Sequence, residues 1–313
     1  MAIDKKFVEL FIKVTTRAAL SSYYLNGKKD KIASDRAAVD SMRNELNKID
    51  MTGEIVIGEG ELDKAPMLFI GEKLGTSKGP SLDIAVDPLE GTNFAANNLP
   101  GALSVITVAE KSNLFKAPET YMNKIAIYSN DKNIVDLDYS VKKNISNLAD
   151  YKNKQPNELT ACVLDRPRHK EIIDQLRMMG VNLKLITDGD VSGALLVSKE
   201  KYNVDIFMGI GGGPEGVLAA SALDSFGCFF QGRFIFETDR DKFRANEMGI
   251  NDLNRKYELN EIVTGDSIFC ATGITSGDLV SGIEINGKEF SSETLVTHKS
   301  SNLRDIIKSK NRL

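Results

Sequence analysis

The residues most suited to chemistry lie where a short apolar segment runs into two carboxylates, a glycine and a threonine. The sequence of residues 83–92 is DIAVDPLEGT. Carboxylates repel one another, so Asp87 and Glu90 at one strand end favour a cation between them, and Mg²⁺ and Mn²⁺ prefer such oxygen ligands. The proline and Gly91 permit a tight turn, which lets both acids converge beside the Thr92 hydroxyl. The alternative is an ordinary acidic turn after a strand.

A second acidic cluster repeats this arrangement earlier in the chain. Residues 53–57 form a predicted strand, and Glu59, Glu61 and Asp63 follow it, interspersed with glycines. One such cluster is usually a solvated loop. Two clusters at the exits of apolar strands favour a shared metal site, because both deliver hard oxygen ligands.

Apolar residues at helical spacing predict helices over about residues 3–24 and 31–46. Lys31 and Asp35 lie one turn apart on the second helix and face the same way. They form either a solvated ion pair, which contributes little, or a cation and an acid that reach together toward an anionic ligand and its metal. A further helix is predicted over residues 65–74, with a proline near its first turn.

Strands and a domain boundary are predicted in the middle of the chain. The strands cover residues 102–109, 125–128 and 134–137, and a loop or short helix precedes them at residues 93–101. The polar stretch around residues 149–156 predicts a boundary between an N-terminal lobe of residues 1–155, with the metal-binding acidic loops, and a C-terminal lobe of residues 156–313.

The second half alternates between strands and helices, which predicts a mainly parallel sheet. The predicted strands cover residues 159–164, 183–186 and 204–208, and the helices that follow them cover residues 170–179, 191–196 and 217–223. Since the carboxyl ends of parallel strands meet at one edge of a sheet, the three loops between them gather where ligands bind.

These three loops carry groups that bind anions, hydroxyls or cations. Arg166 and Arg168 flank a proline and either bind a phosphate or belong to a surface turn. Residues 188–190 are a plain turn or an acceptor of hydrogen bonds from sugar hydroxyls. The glycine run of residues 209–216 can aim backbone N–H groups at an anion, whereas Glu215 within it suits a metal ligand.

No histidine or cysteine has a convincing catalytic position. His169 is interpreted as a helix-start residue, and His298 lies in a polar C-terminal region without an assigned role. The cysteines, Cys162, Cys228 and Cys270, are far apart and have no basic partner nearby in the sequence. Metal-assisted chemistry is therefore favoured over a nucleophile–histidine arrangement.

One motif favours a different function. Residues 211–216, GGGPEG, fit the dinucleotide-binding pattern G-x-G-x-x-G, and Glu237 lies about twenty residues further on. This would indicate an oxidoreductase. We discount it because Pro214 removes an N–H where the pyrophosphate would lie, and because it leaves both acidic strand exits unexplained.

Composition narrows the class of protein further. The chain has 313 residues and a formal net charge of −4, which gives no general attraction to nucleic acid or to an anionic membrane. Three widely spaced cysteines, with no zinc spacing and no disulfide framework, indicate a reducing cytoplasm. No signal peptide and no membrane-spanning segment is predicted.

The chain resembles the class II, GlpX-type fructose-1,6-bisphosphatases along almost its whole length. The shared segments are K-x-x-x-D at residues 31–35, VIGEGELDKAPML at 56–68, DPLEGT at 87–92, RPRH at 166–169, DGD at 188–190, GIGGGPEG at 209–216 and ATGIT at 271–275. The DPLEGT segment is also similar to the signature of the lithium-sensitive, metal-dependent phosphatase superfamily. That resemblance implies an α/β fold, a layered α-β-α-β-α sandwich with the active site between two tightly coupled lobes.

The resemblance also implies roles for particular residues. It implies the metal ligands Asp35, Glu59, Asp87, Glu90 and Glu215. It implies substrate contacts at Glu90, Gly91, Thr92, Tyr121, Arg166, Arg168, Asp188, Gly189, Asp190 and Gly212, with Lys31, Asp63 and Thr92 as the catalytic residues. The sequence of residues 93–101 departs from the version typical of the best-known bacterial members of this family. Arg166 stands at a position where lysine also occurs in the family.

The implied activity is hydrolysis of the 1-phosphate of fructose 1,6-bisphosphate with Mg²⁺ or Mn²⁺, in gluconeogenesis or Calvin-type sugar phosphate metabolism. The implied enzyme is a cytoplasmic homo-oligomer, a dimer or tetramer, whose partner is a sugar bisphosphate and neither nucleic acid nor membrane. The alternatives are a sedoheptulose-1,7-bisphosphatase or an enzyme with both activities. From other classes, the alternatives are a sugar-phosphate sensor without turnover and the dinucleotide-binding oxidoreductase.

Overall fold

The chain forms two compact units in the computed structural model, which describes residues 2–58, 68–129 and 131–313. One unit comprises the chain up to Lys116 together with Val263–Leu313, and the other comprises Ala117–Ile262. The predicted boundary near residues 155–156 lies inside the second unit. The strand that begins at Tyr121 pairs within the second sheet, and the strands after Val263 return to the first.

The described part of the chain combines helices and strands in both units, which confirms the predicted α/β class. The helices are α1 (Lys6–Tyr23), α2 (Lys31–Leu46), α3 (Thr92–Ala96), α4 (Val141–Lys152), α5 (Lys170–Met178), α6 (Asp190–Leu195), α7 (Gly213–Phe226), α8 (Asp239–Glu247) and α9 (Leu259–Ile262). The strands are β1 (Thr52–Ile57), β2 (Lys73–Leu74), β3 (Ser81–Glu90), β4 (Leu103–Glu110), β5 (Tyr121–Ile127), β6 (Thr160–Leu164), β7 (Asn182–Ile186), β8 (Ile206–Gly212), β9 (Phe229–Ile235), β10 (Tyr257–Glu258), β11 (Ser267–Gly273), β12 (Glu284–Asn286), β13 (Glu289–His298) and β14 (Leu303–Arg312). None of the described helices is both long and apolar enough to cross a membrane.

The first unit is built on one mixed sheet. Its strand order is β12-β13-β11-β4-β3-β1-β2, and β14 also pairs with β13. Strand β3 lies between β1, its parallel neighbour, and β4, its antiparallel neighbour. The β-branched and apolar residues of β4 suit such a buried strand. The pairing of β3 with β1 ends at Ala85, whereas its pairing with β4 continues through Asp87 to Glu90.

Helices α1 and α2 pack against each other and against this sheet. Helix α1 buries Phe7, Phe11 and Ala18, which recur at helical spacing. Helix α2 begins after Asp30, whose carboxylate accepts the N–H of Ala33 at 2.9 Å and so satisfies one helix-start donor. Both helices predicted in this region are confirmed.

The second unit is built on a sheet with the strand order β10-β9-β5-β8-β6-β7. Strands β6, β7 and β8 are parallel neighbours, so their carboxyl ends meet at one edge, as predicted. The prediction of a mainly parallel sheet is wrong, because β5 pairs antiparallel with both β8 and β9.

The helix predicted over residues 65–74 is not formed at its C-terminal end. Lys73 and Leu74 form β2, which pairs antiparallel with β1, and residues 65–67 lie outside the described residues. Backbone pairing with a neighbouring strand therefore decides the structure here over helical spacing.

The strand predicted over residues 134–137 is also wrong, since none of these four residues lies in a strand and a turn begins at residue 137. Asp136 accepts the N–H of Asp138 at 2.7 Å and the ammonium of Lys256 at 2.7 Å. A carboxylate that bonds to the backbone two residues later stabilises a turn over a strand.

The C-terminal region forms a hairpin of β13 and β14. His298 is buried at the end of β13, and its ring nitrogens lie 3.1 Å from Asp266 and 2.9 Å from the hydroxyls of both Ser300 and Ser301. Burial alone would raise the pKa of Asp266, but hydrogen bonds from Ser300 and from the N–H of Ile3 outweigh it and lower that pKa. His298 therefore has a structural role.

Candidate active site

A β-bulge in the first unit brings the two predicted acids to one side of β3. Residues three apart on a regular strand point to opposite faces. Here Asp87 pairs with Val105 and Glu90 pairs with Leu103, so three steps on β3 match two on β4. The extra residue turns both carboxylates to the same side. Pro88 lies within the bulge, where a ladder N–H is not required.

The backbone turns sharply after the bulge and begins α3. Gly91 has a φ of 78°, a conformation that a residue with a Cβ adopts with strain, and a Cβ there would lie 2.8 Å from the Phe94 ring. Thr92 follows as the first residue of α3, and its hydroxyl donates to the carbonyl of Leu89 at 3.2 Å. This fixes the hydroxyl beside the bulge, with its oxygen able to accept a further hydrogen bond.

Helix α2 packs against both β3 and α3. The N–H of Gly27, in the loop before α2, donates to the carbonyl of Ala95 in α3 at 2.9 Å. Asp35 is half-buried on α2, and Lys31 is exposed one turn earlier. The first unit thus places the helix with the predicted cation and acid against the segment that carries Asp87 and Glu90.

The donor set of the first unit suits a hard divalent cation. Glu59 and Asp63, which the resemblance implies as ligand and catalytic residue, lie outside the described residues. Among the described residues, no three acidic, histidine or cysteine side chains form a metal-binding group by themselves. Asp87 and Glu90 on one side of the bulge, with Asp35 on the adjoining helix, nevertheless offer the oxygen ligands that Mg²⁺ and Mn²⁺ prefer.

The loop that departs from the best-known members is fixed by one threonine. The hydroxyl of Thr275 donates to the carbonyl of Leu99 at 2.8 Å and accepts the N–H of Ala102 at 2.9 Å. Residues 93–101 thus contain α3 and then a segment held by the ATGIT motif. This explains why a threonine hydroxyl is needed at that position.

In the second unit, the predicted arginines lie at the carboxyl ends of the parallel strands. The Nε of Arg168 donates to the carbonyl of Ile210 at 2.9 Å, and its guanidinium carbon lies 4.9 Å from the centre of the Tyr121 ring. The Nη2 of Arg166 lies 3.8 Å from the Oδ1 of Asp188. The aromatic face and the carbonyl orient the planar guanidinium fork, which suits a phosphate.

His169 connects the arginine loop to β8. The ring is fully buried, its Nδ1 lies 2.7 Å from the carbonyl of Leu164, and the N–H of Ile210 donates to its Nε2 at 2.7 Å. Nε2 therefore carries no proton and Nδ1–H donates to Leu164. Burial lowers the pKa of His169, with the nearby Arg168 cation also lowering it, although the bond to Leu164 opposes the shift.

We expect this histidine to make stability depend on pH. The folded chain favours the neutral ring, so the unfolded chain binds a proton more readily below its own pKa of about 6.5. The stabilisation is fully present above that pH and is lost as pH falls below it. Urea unfolding between pH 7.5 and pH 5.5 should show a steeper fall for the wild type than for His169→Gln. Equal slopes would contradict this assignment.

A buried lysine joins two of the predicted substrate-binding residues. The ammonium of Lys124 on β5 donates to the carboxylate of Asp190 and to the carbonyl of Gly212 at 2.6 Å. Asp190 is the first residue of α6, and Gly212 is the last residue of β8. Gly189, with a φ of 84°, makes the turn before Asp190.

The glycine run continues β8 as a strand, in contrast to the predicted loop after residue 208. A Cβ at Gly211 would lie 2.0 Å from an oxygen of Asp190, and a Cβ at Gly212 would lie 1.8 Å from an oxygen of Glu215. These glycines therefore make room for two carboxylates. Two carboxylates would repel a pyrophosphate, which argues against the dinucleotide-binding alternative.

The surroundings of Glu215 disfavour its ionised form in the absence of a cation. Burial raises its pKa, and the nearby Asp190 and Asp188 carboxylates raise it further, while the Lys124 ammonium opposes the shift. A divalent cation would favour the ionised form of this carboxylate and so reverse the shift. The second unit thus fits the role that the resemblance implies for Glu215.

The sequence reasoning missed Lys124 and the connecting role of His169. A lysine in the middle of YMNKIAI, residues 121–127, was the available signal, since a charge within a central strand requires a buried partner. His169 gave no such signal, because its second partner, Ile210, is 41 residues away.

The first unit carries an acid-bearing bulge and the second carries arginine and carboxylate loops, and these residue types suit hard cations and anionic ligands. The chain matches the family model described as bacterial fructose-1,6-bisphosphatase, glpX-encoded, over residues 5–311. It therefore belongs to the glpX-encoded bacterial fructose-1,6-bisphosphatase family, as the resemblance implied.

Named relatives support this assignment along the whole chain. The chain is 40% identical over 296 residues to the D-fructose 1,6-bisphosphatase class 2/sedoheptulose 1,7-bisphosphatase of Prochlorococcus marinus (strain AS9601), covering 90% of this chain and 89% of that protein. It is 41% identical over 297 residues to the protein of the same name from Synechococcus elongatus, covering 87% and 86%. The inositol monophosphatase from Anabaena is 13% identical over 62% of this chain and 71% of that one, with a TM-score of 0.33.

Proposed function

We propose that this chain is a metal-dependent phosphatase that hydrolyses the 1-phosphate of fructose 1,6-bisphosphate. The observation that carries the proposal is the Arg166–Arg168 loop with its oriented guanidinium, in a chain that also has the acid-bearing bulge. A sugar bisphosphate requires both groups of residues, because one phosphate is hydrolysed and the other is bound without reacting. Family membership and the names of the relatives support the same substrate class.

The carboxylates that would hold divalent cations are Asp35, Glu59, Asp87 and Glu90 in the first part of the chain and Glu215 in the second unit. Mg²⁺ or Mn²⁺ fits them because every donor is a carboxylate oxygen. When bound, such a cation supplies positive charge that activates water and offsets the charge of the reacting phosphoryl group.

The residues around the bulge prepare the attacking water. The Thr92 hydroxyl donates to Leu89, so its oxygen accepts a hydrogen bond from that water and orients it. Asp63 acts with Thr92 as the proton acceptor. Lys31 lies on the helix packed against this segment and offsets negative charge on the phosphoryl group.

The second unit would bind the rest of the substrate. Arg168, held on Ile210 and Tyr121, binds the phosphate that is not cleaved, with Arg166 beside it. Asp188 and Asp190 accept hydrogen bonds from sugar hydroxyls. Binding energy from these remote groups positions the 1-phosphate for attack.

A substrate panel tests the proposal. The purified chain would be assayed for phosphate release from fructose 1,6-bisphosphate, sedoheptulose 1,7-bisphosphate, fructose 1-phosphate and inositol 1-phosphate, with Mg²⁺ or Mn²⁺. We expect the highest kcat/KM on fructose 1,6-bisphosphate. Comparable turnover of the seven-carbon substrate would establish the second candidate, a bifunctional enzyme, which the names of the cyanobacterial relatives favour. Calorimetric binding without turnover would instead establish the sensor.

We also infer a cytoplasmic location from the cysteines. The side chains of Cys162, Cys228 and Cys270 are all buried. Burial raises the pKa of Cys270 far above its usual range, which keeps this thiol protonated and unreactive. Such thiols are typical of a reducing compartment. Localisation of a fluorescent fusion in the source organism tests this inference.

A further inference from the structure

Lys124 is almost fully buried, which is rare for a lysine. It is 1% exposed, at the centre of β5. Its cross-strand neighbours are Gly209 on β8 and Gly232 on β9. Helix α7 presents Gly216 over it, where a Cβ would lie 3.4 Å from the Lys124 Cδ. A Cβ at Gly216 would thus lie against the lysine stem, whereas a Cβ at Gly209 would meet the His169 ring and one at Gly232 would meet the Met122 side chain.

The ammonium at the end of this stem is shared between two groups of the proposed substrate site. It donates to Gly212 O at 2.6 Å and to one carboxylate oxygen of Asp190. Asp190 is only 9% exposed, so its charge requires a partner within the protein. Lys124 is that partner, and it fixes the carboxylate relative to the end of β8.

The other carboxylate oxygen of Asp190, Oδ1, indicates a ligand contact. Within the part of the chain that the structure describes, its buried Oδ1 has no hydrogen-bond partner. Buried carboxylate oxygens are normally satisfied, and an exception indicates a water, an ion or a ligand. One oxygen of Asp190 is therefore held by Lys124 while the other remains an acceptor.

A comparison within the same unit shows what a purely structural lysine–aspartate pair looks like. Asp205 accepts the ammonium of Lys152 at 2.6 Å and that of Lys154 at 3.2 Å on one oxygen. Its other oxygen accepts the N–H of Thr160 at 2.8 Å. Both oxygens of Asp205 have hydrogen-bond partners, whereas only one oxygen of Asp190 has a partner among the described residues.

We propose that Lys124 is a positioning residue for the sugar: it holds Asp190 and the carbonyl of Gly212 so that the second oxygen of Asp190 accepts a substrate hydroxyl. The inference rests on the proposed function, because it gives Asp190 a sugar ligand. A lysine that only stabilised the fold would act on stability and leave sugar binding intact. Lys124 itself contacts no substrate and acts through Asp190.

The test compares Lys124→Met with Lys152→Met in the full chain. Each variant removes one ammonium from a buried aspartate, so both lose stability in urea unfolding. We expect Lys124→Met to raise KM for the sugar bisphosphate by about ten- to a hundredfold, by analogy with the loss of a partner that orients a metal ligand, with a much smaller change in kcat. Lys152→Met should leave KM unchanged. An unchanged KM in Lys124→Met, or equal KM changes in the two variants, would overturn the proposal.

A double-mutant cycle shows whether Lys124 acts through Asp190. If it does, Lys124→Met should raise KM by less than about twofold once Asp190→Asn is already present. Independent, multiplying effects of the two substitutions would overturn the proposal. Should Lys124→Met fail to fold, Lys124→Gln replaces it, since the amide can still donate to Gly212 while its charge is gone.

Failure of the proposed function is distinguishable from failure of this inference. The dissociation constant of each sugar phosphate in the panel would be measured by calorimetry without divalent cations, where no turnover is expected. The tightest ligand then serves for the wild type and all variants, whether or not it is fructose 1,6-bisphosphate. Weaker binding by Lys124→Met, but not by Lys152→Met, supports the positioning role even if the substrate assignment changes.

Discussion

We expect chelation of divalent cations to abolish phosphate release and added Mg²⁺ or Mn²⁺ to restore it. This is the largest effect that we predict. Asp87→Ala should reproduce the loss in the presence of metal. Removing one ligand forfeits several kcal/mol of transition-state stabilisation, which corresponds to a fall in kcat of about a thousandfold. Phosphate release at saturating substrate and saturating metal measures the effect.

Asp83, four residues earlier on β3, provides the matched control. Its buried carboxylate accepts the N–H of Ser112 at 2.7 Å. We expect Asp83→Ala to lose stability and keep its turnover. Asp87→Ala should do the reverse in metal-free protein, because it relieves repulsion between Asp87 and Glu90. Full turnover after chelation, or an Asp87→Ala variant as active as Asp83→Ala, would contradict the metal-dependent mechanism.

The cation site at the acidic stretch stays a prediction, and it rests on residue type. Two carboxylates at a strand end indicate a cation site from their residue types and spacing. How Asp87 and Glu90 come to face the same side was not predictable, since a β-bulge depends on the register with β4. A strand partner that lies beyond a turn leaves no mark in the local pattern of apolar residues.

The arrangement of the parallel strands was predicted correctly. The alternation of strands and helices placed the loops after β6, β7 and β8 at one edge, and the sheet has that arrangement. The antiparallel strands β5 and β9 were harder to place, because each pairs with strands that are distant in the sequence. The same long-range pairing explains why the chain leaves the first unit at Ala117 and returns at Val263.

The glycine run shows where a sequence motif misleads. GGGPEG indicates a phosphate-binding turn when its neighbours are unknown. The structure instead places the carboxylates of Asp190 and Glu215 where the missing side chains of Gly211 and Gly212 would lie. Asp190 is 22 and Glu215 only 3 residues from Gly212, but the direction of each carboxylate depends on α6 and α7. The motif alone therefore could not show whether its glycines bind an anion through their backbone N–H groups or leave space for two carboxylates.

Arg168→Ala is the second large effect, and it separates a bisphosphatase from a monophosphatase with the same metal ligands. The guanidinium is oriented by Ile210 and Tyr121, so it meets the uncleaved phosphate with little reorganisation. A charge-assisted hydrogen bond there contributes about 1.5–3 kcal/mol. We therefore expect kcat/KM for fructose 1,6-bisphosphate to fall by about ten- to a hundredfold.

Two further variants and one further substrate show whether the fall in kcat/KM of Arg168→Ala comes from the lost contact with the uncleaved phosphate. Arg168→Lys keeps the charge but loses the planar fork and the stacking on Tyr121, so its kcat/KM should lie between those of the wild type and Arg168→Ala. Arg177, on the following helix and 3.7 Å from Asp174, serves as the surface control, and Arg177→Ala should match the wild type. On an aryl monophosphate, which has no second phosphate, the loss in Arg168→Ala should be much smaller than on the bisphosphate. Equal losses on both substrates would mean that Arg168 supports the fold of the loop and does not bind the uncleaved phosphate, and the choice of a bisphosphate substrate would have to be reopened.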